Sequence, residues 1–152
     1  MRTLLKSSLA LVGAAALAAP AIAEGDNPRN GGRKIAATLT GAAEVPAPGD
    51  PNGAGLFEAR VNPGTARICY TLAASSIDQA TEAHIHRGGP AEAGDVVLTL
   101  DTPDRDDDDS EECQDIDRGL AQALIRHPEN YYVNVHTGAF EDGAIRGQLM
   151  KG

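Results

Sequence analysis

Histidine side chains give the clearest chemical signal in this sequence. His84 and His86 lie one residue apart in the stretch AHIHRGG, and the whole chain contains only four histidines. Side chains two residues apart in an extended strand point to the same side, so this pair should face one way. Neutral imidazole nitrogens are common ligands of copper and zinc. The pair therefore suggests part of a metal site.

A third histidine could complete such a site. His136 ends the segment YYVNVHT, where strand alternation places it on the same side as Tyr132 and Asn134. If this strand lies beside the one carrying His84 and His86, three imidazoles converge and could hold one copper or zinc ion. A structural hydrogen-bond network and recognition of a partner stay open as alternatives.

The same alternation predicts a wider polar face around the histidines. GAIRGQLM should form the second strand of a hairpin, after the five-residue connection GAFED. Pairing of Thr137 with Gly143 would place His136 opposite Ala144, a small residue that leaves room above the ring. With the preceding strand, this register assembles a predicted binding face of five further residues: Glu82, Tyr132, Asn134, Arg146 and Gln148.

Most of the chain has the period-2 alternation of half-buried strands. About seven short segments of this kind are separated by turns rich in Gly and Pro, and nothing indicates a βαβ unit. One helix is predicted over 116–127, before Pro128, with His127 at the end where a cation interacts favourably with the helix dipole. The sequence predicts an all-β fold, a single antiparallel β-sandwich with one short helix.

The N-terminus has the pattern of an export signal. A basic start precedes an apolar run from Leu9 to Ala19 and a small-residue cleavage site at 21–23. That run is too short to span a bilayer permanently. We therefore expect a signal peptide over 1–23, a flexible leader over 24–32 and one domain over 33–152. The mature protein should be exported, periplasmic or secreted, without a membrane span.

Charge narrows the classes of partner. Removal of Arg2 and Lys6 with the signal peptide lowers the basic count from 13 to 11 against 22 acidic residues, a net charge of −11. Such a chain is a poor ligand for nucleic acid or anionic membranes. The expected partner is an unidentified extracytoplasmic protein or a metal ion.

Two cysteines, Cys69 and Cys113, occur in the chain. In an exported protein such a pair predicts a disulfide, with two free thiols as the alternative. The bridge would close a loop of about 44 residues and contribute ~4 kcal/mol on the chain-entropy model.

An acidic segment covers 101–117, where ten residues are Asp or Glu. Oxygen ligands suit calcium, but the spacing of an EF-hand loop is missing. A run of like charges favours a solvated, self-repelling loop, so calcium binding is the minor alternative for this segment.

Four motifs resemble one known family. LTGAAEVPAP (39–48), AHIHRGG (83–89), YYVNVHTGAF (131–140) and GAIRGQL (143–149) follow one another as in the CHRD domain, named for the chordin family of secreted proteins. The resemblance covers about 35–151. It implies an extracytoplasmic all-β binding module, immunoglobulin-like or superoxide-dismutase-like in architecture, and it implies no established reaction.

A weaker resemblance links the chain to Cu/Zn superoxide dismutase. It implies that His84, His86 and His136 are copper ligands and that Arg146 attracts an anionic substrate. The chain departs from that family because RGGPAEAGDVVLTLD contains no histidine for a zinc subsite. Three functions are therefore expected in order: a binding module that holds copper or zinc, a copper-dependent redox enzyme, and a structural envelope or matrix protein.

Overall fold

The computed structural model describes residues 31–103 and 112–152. The predicted signal peptide, nearly all of the predicted leader and the centre of the acidic segment lie outside the described residues. The predictions of a cleaved signal and of calcium binding therefore stay predictions.

The described residues form one antiparallel sheet and one α-helix, α1, at Arg118–Arg126. The sheet has nine strands: β1 (Arg33–Thr40), β2 (Ala54–Asn62), β3 (Arg67–Ser75), β4 (Ala80–Arg87), β5 (Val96–Leu100), β6 (Glu112–Asp115), β7 (Tyr131–Thr137), β8 (Phe140–Gln148) and β9 (Met150–Lys151). The order across the sheet is β5-β4-β7-β8-β1-β2-β3-β6, and β9 pairs with β1. The prediction of an all-β fold with one short helix is confirmed, with β6 and β9 as additional strands.

The sheet bends into two halves around a common core. In the strand register, β1 and β8 share one residue pair, Thr40 with Arg146. We call β5-β4-β7-β8 the histidine half and β1-β2-β3-β6 with β9 the disulfide half. Inner faces of both halves contribute to one apolar cluster, whose fully buried side chains include Leu39, Phe57, Ile68, Ile85, Val133, Val135 and Ile145.

The two ends of the sheet, β5 and β6, approach each other. The Gln114 side chain donates from Nε2 to Thr99 O at 3.0 Å, and Asp101 N donates to the Tyr70 hydroxyl at 2.9 Å. Helix α1 contacts β1, β2 and β3. These contacts curl the sheet into a sandwich-like shell.

The helix lies within the predicted range 116–127 but begins two residues later and ends one residue earlier. Asp117 caps it, since its Oδ1 accepts a hydrogen bond from Leu120 N at 2.9 Å. Ala121 and Leu124 are buried on its inner side. At its other end His127 is the C-cap residue, followed by Pro128, which cannot continue the helix.

The last hairpin corrects one prediction. β7 ends at Thr137 and β8 begins at Phe140, so two residues connect the strands instead of the predicted five. Thr137 pairs with Phe140, not Gly143, because the register shifts between Val135 and Thr137. Beyond this irregularity the predicted pairs are confirmed, since Asn134 lies opposite Arg146 and Tyr132 opposite Gln148.

The predicted disulfide between Cys69 and Cys113 is present. The two cysteines are directly opposite each other on β3 and β6, with their Cα atoms 4.0 Å apart. The bridge fastens the short end strand β6 to the disulfide half of the sheet.

A candidate metal-binding site

Two neighbouring strands bring the histidines together. β4 and β7 are antiparallel, with Glu82 opposite His136 and His86 opposite Tyr132. Ala83 and Ile85, which alternate with the histidines of β4, are fully buried in the core. The predicted adjacency of these strands is confirmed, and alternation turns the imidazoles toward the outer face.

The three imidazoles lie close enough to share an ion. His84 Nδ1 and His136 Nε2 are 3.3 Å apart, and one nitrogen from each of His84, His86 and His136 lies within 4.8 Å of the other two. Ligands at ~2.0–2.1 Å from one ion are separated by roughly 3–4 Å. The set therefore needs a contraction of only about 1 Å to surround an ion.

Backbone carbonyls select the free nitrogens of two rings. His86 Nδ1 lies 2.8 Å from Gly94 O, and His136 Nδ1 lies 2.8 Å from Glu141 O. A carbonyl can only accept, so both Nδ1 atoms carry the proton and both Nε2 atoms keep a lone pair. Outer hydrogen bonds of this kind orient metal-binding histidines.

In His84 the nitrogen that lies next to His136 is Nδ1, not Nε2. Its Nδ1 can donate to His136 Nε2, while its Nε2 lies 3.8 Å from Glu82 Oε2. Binding of an ion at Nδ1 would require the proton on Nε2, next to the Glu82 carboxylate. Glu82 would then lie beside that proton, and its place on a binding face stays a prediction.

One nitrogen of the set is buried without a hydrogen-bond partner. His86 is 9 % exposed, and within 31–103 and 112–152 its Nε2 has no hydrogen-bond partner of good distance and angle, although the nearby Asn134 side chain acts to raise the pKa of the ring. Leaving a buried polar atom unpaired costs about 1–3 kcal/mol. A neutral Nε2 can donate its lone pair to a metal ion, which would then take the place of a hydrogen-bond donor.

Electrostatics keep two of the rings neutral. Burial, and then repulsion from His136 and His86, lowers the pKa of His84 in spite of nearby Glu82. Burial also lowers the pKa of His86, against the opposing effect of its hydrogen bond to the Gly94 carbonyl. Neutral rings have the lone pair that metal coordination requires.

The rest of the predicted binding face is not an open surface. Tyr132, Asn134 and Arg146 are buried, with Arg146 only 2 % exposed. The prediction treated these side chains as an open polar face because alternation places them on the outer side of the sheet, but residues 88–95 contact Tyr132 and Arg146. Whether this face binds anything stays a prediction, and the burial of Arg146 is against the anion-attracting role.

Two side chains of β8, the buried Arg146 and the half-buried Gln148, bond to residues 88–95. Arg146 Nη2 donates to Gly89 O at 2.7 Å and to Glu92 O at 2.9 Å. Gln148 Nε2 donates to Gly88 O at 2.9 Å. Arg146 thus bonds to the backbone of residues 88–95, and Gln148 joins that backbone to Glu129 O and Tyr131 O.

Sequence reasoning did not select Glu44, an ionisable residue of the same region. It is 6 % exposed, and burial raises its pKa to about 7 although the Arg146 cation opposes the shift. A Cβ on Gly143 would come within 2.4 Å of Glu44 Oε1, so only glycine leaves room for this carboxyl. The one available signal was a lone Glu between apolar residues in LTGAAEVPAP.

His127 stands apart from the other histidines. Its side chain is 63 % exposed, and its Nδ1 lies 3.3 Å from Glu129 Oε1. It is not in the histidine group that could hold a metal. His127 is therefore a natural control for the site.

Most of the described chain matches one known family. The family model described as the CHRD domain matches residues 35–149. Comparison with curated proteins and with solved structures finds no match. In the described part of the chain, none of the helices has the length and apolar character needed to cross a membrane.

Proposed function

Because the chain belongs to the CHRD domain family, we propose that it is an exported binding module that holds one copper or zinc ion on His84, His86 and His136. The family match supports a binding function in general terms. The observation that carries the metal assignment is the buried, unpartnered Nε2 of His86, adjacent to two further imidazoles.

The donor set fits copper or zinc better than a hard cation. All three donors are imidazole nitrogens, which suit copper and zinc, whereas calcium and magnesium prefer oxygen. His84 has a 12 % exposed side chain and His136 is partly exposed, so the outer side of the site faces solvent. A bound ion would supply a Lewis-acidic centre with a position for an exchangeable ligand.

The disulfide in the disulfide half of the sheet supports export. A disulfide such as Cys69–Cys113 persists in oxidising compartments and is rare in the cytosol. The predicted signal peptide over 1–23 points the same way. The proposed location is therefore the periplasm or the extracellular space.

Metal titration tests the proposal directly. Purified protein lacking residues 1–23 is titrated with Cu²⁺ and with Zn²⁺ by isothermal calorimetry, with a competing chelator for tight binding. We expect one saturable site for at least one of these ions, lost in His136→Ala and kept in the control His127→Ala. Equal binding by both variants, or no saturable binding by the wild type, would refute the site.

A second candidate is a copper-dependent redox enzyme of the superoxide dismutase type. The partial exposure of His84 and His136 favours it, since a small anion could reach an ion from that side. Copper-loaded protein is compared with the zinc-loaded and His136→Ala forms for its rate of superoxide decay. With a chelator present to mask free copper, decay no faster than for the zinc-loaded or His136→Ala protein would exclude the enzyme and leave the binding module.

A further inference from the structure

The segment between β4 and β5, residues 88–95, has no regular secondary structure yet is held by hydrogen bonds at several points. We call it the covering loop. Arg87 N donates to Asp95 O at 2.9 Å and closes its base, and Gly88 N donates to Asn130 O at 2.8 Å. Glu92 N donates to Gly89 O at 3.1 Å and forms a turn within it. The loop is therefore fixed to the sheet at both ends.

Arg146 fixes the middle of the covering loop. Its Nη2 reaches two carbonyls of the loop, Gly89 O and Glu92 O. Its Cζ also lies 3.3 Å from the centroid of the Tyr132 ring, so the cation is stacked on that aromatic face. A buried cation is costly unless such partners compensate it, so these contacts define where loop and ring must lie.

The end of the covering loop touches the candidate metal site. Gly94 O accepts the hydrogen bond from His86 Nδ1, while Gly94 N donates to the Tyr132 hydroxyl at 3.1 Å. A Cβ at Gly94 would come within 1.6 Å of Arg87 O, so this approach requires glycine. Gly94 thus joins His86 to Tyr132 through its two backbone groups.

Tyr132 also contacts His86 directly. The two rings stack in parallel, with centroids 4.8 Å apart and planes 4° from parallel. Arg146 therefore controls both restraints on His86, namely the carbonyl that holds its Nδ1 proton and the ring that sets its plane.

We propose that Arg146 is a positioning residue for the metal site. Through the covering loop and the Tyr132 ring, it keeps His86 protonated on Nδ1 and directs Nε2 toward His84 and His136. This inference rests on the proposed function for its metal part. Its structural part, the protonation state and orientation of His86, holds for the protein alone.

His136 provides an internal control for this proposal. Its Nδ1 proton is held by Glu141 O, which belongs to β8 and not to the covering loop. A change at Arg146 should therefore alter the proton position on His86 and leave that on His136 unchanged. A general loss of structure would affect both rings.

The first measurement is long-range ¹H–¹⁵N NMR of the imidazoles in metal-free protein, which shows which nitrogen of each ring carries the proton. Arg146→Lys keeps the charge but lacks the planar guanidinium that reaches two carbonyls and stacks on Tyr132. We expect His86 to lose its fixed Nδ1–H form in this variant, while His136 keeps its own. The matched control is Arg87→Lys, because the guanidinium of Arg87 lies over a different ring, with its Cζ 5.8 Å from the Tyr131 centroid.

The second measurement is the affinity for Cu²⁺ or Zn²⁺ by competition titration. Loss of an outer-shell contact lowers metal affinity about 10–100-fold, so we expect a decrease of this size in Arg146→Lys and none in Arg87→Lys. If Arg146→Lys does not fold, Tyr132→Phe serves instead, because it keeps the ring and removes the acceptor of the Gly94 N–H. The smaller change should weaken metal binding in the same direction.

The outcomes separate the two proposals. An unchanged His86 spectrum and unchanged affinity in a folded Arg146→Lys variant would overturn the positioning role, as would equal changes at His86 and His136. A wild type that binds neither ion would refute the metal site and with it the metal part of this inference. The NMR comparison would still decide whether Arg146 positions His86.

Discussion

Strands β2 and β7 differ in a way that separates the two halves of the molecule. On β2 of the disulfide half, buried and exposed positions alternate, as expected for a strand with one face in the core. On β7 of the histidine half, every residue is buried except His136, which is partly exposed. The covering loop contributes to the difference, since its backbone donates a hydrogen bond to the Tyr132 hydroxyl. Polar residues there, such as Asn134, are interior residues.

The comparison shows that the same alternating pattern can have two meanings. On the disulfide half, an outward polar residue such as Glu58 is solvated. On the histidine half, Asn134 and Arg146 occupy equivalent outward positions and are buried. Substitutions at these two kinds of position should therefore lower the unfolding free energy by very different amounts. Removal of the disulfide from one half and of Arg146 from the other should also have separable effects.

Removal of the disulfide should have the largest effect on stability and little on the metal site. We expect the double variant Cys69→Ala/Cys113→Ala to lose about 4 kcal/mol of unfolding free energy, since a long loop is no longer closed in the unfolded chain. Urea denaturation measures this loss, and metal titration of the folded variant should give wild-type affinity. Loss of metal binding in a folded variant would show that the two halves are coupled.

Truncation of Arg146 should rank second. Arg146→Ala leaves Gly89 O and Glu92 O without their donor and a void beneath the covering loop, so we expect a loss of about 3 kcal/mol. The matched change on the disulfide half, Glu58→Ala, should stay within about 0.5 kcal/mol because that side chain is exposed. Similar urea midpoints for both variants would contradict the distinction between the two outer faces.

Glu44 should make the unfolding free energy depend on pH, with a smaller effect than the two substitutions above. Its pKa of about 7 in the folded protein lies above the ordinary value of 4.5, so its unfolded form gives up the proton first as pH rises. Stability from this group is fully present below pH 4.5 and falls until pH reaches about 7, by about 2 kcal/mol after allowance for partial solvation.

The variant Glu44→Gln isolates this effect. It cannot ionise, so the difference in unfolding free energy between variant and wild type should shift in favour of the variant between pH 4.5 and 7. Arg146, the charged group that faces Glu44, stays protonated throughout this range. A difference that does not change with pH would show that Glu44 is already ionised in the folded protein.

Much of the fold could be predicted because local patterns determine it. Alternation in AHIHRGG and YYVNVHT placed His84, His86 and His136 on one side, and the Asn134–Arg146 pair followed from the hairpin register. Pro128 marked the end of the helix. In each case the deciding interactions lie within a few residues or between paired strands.

The remainder depends on contacts that have no local pattern. β6 is formed from acidic and polar residues and exists beside β3, where Cys113 meets Cys69. The register shift near His136 includes residues 141–144 of β8, where Gly143 has a φ of +137°, but the residue pattern alone did not show that the irregularity would fall at this glycine. Burial of Glu44 and Arg146 arises from the covering loop and from Gly143, which alternation along one strand cannot reveal.

The link between Gln114 and Thr99 has a consequence for assembly. Strands at the ends of a sheet expose backbone groups that can recruit another chain and start aggregation. Here the side chain of β6 occupies a carbonyl on β5, and Asp101 N is taken by the Tyr70 hydroxyl. At this junction the two ends of the sheet therefore offer these polar groups to each other and not to a strand of another chain.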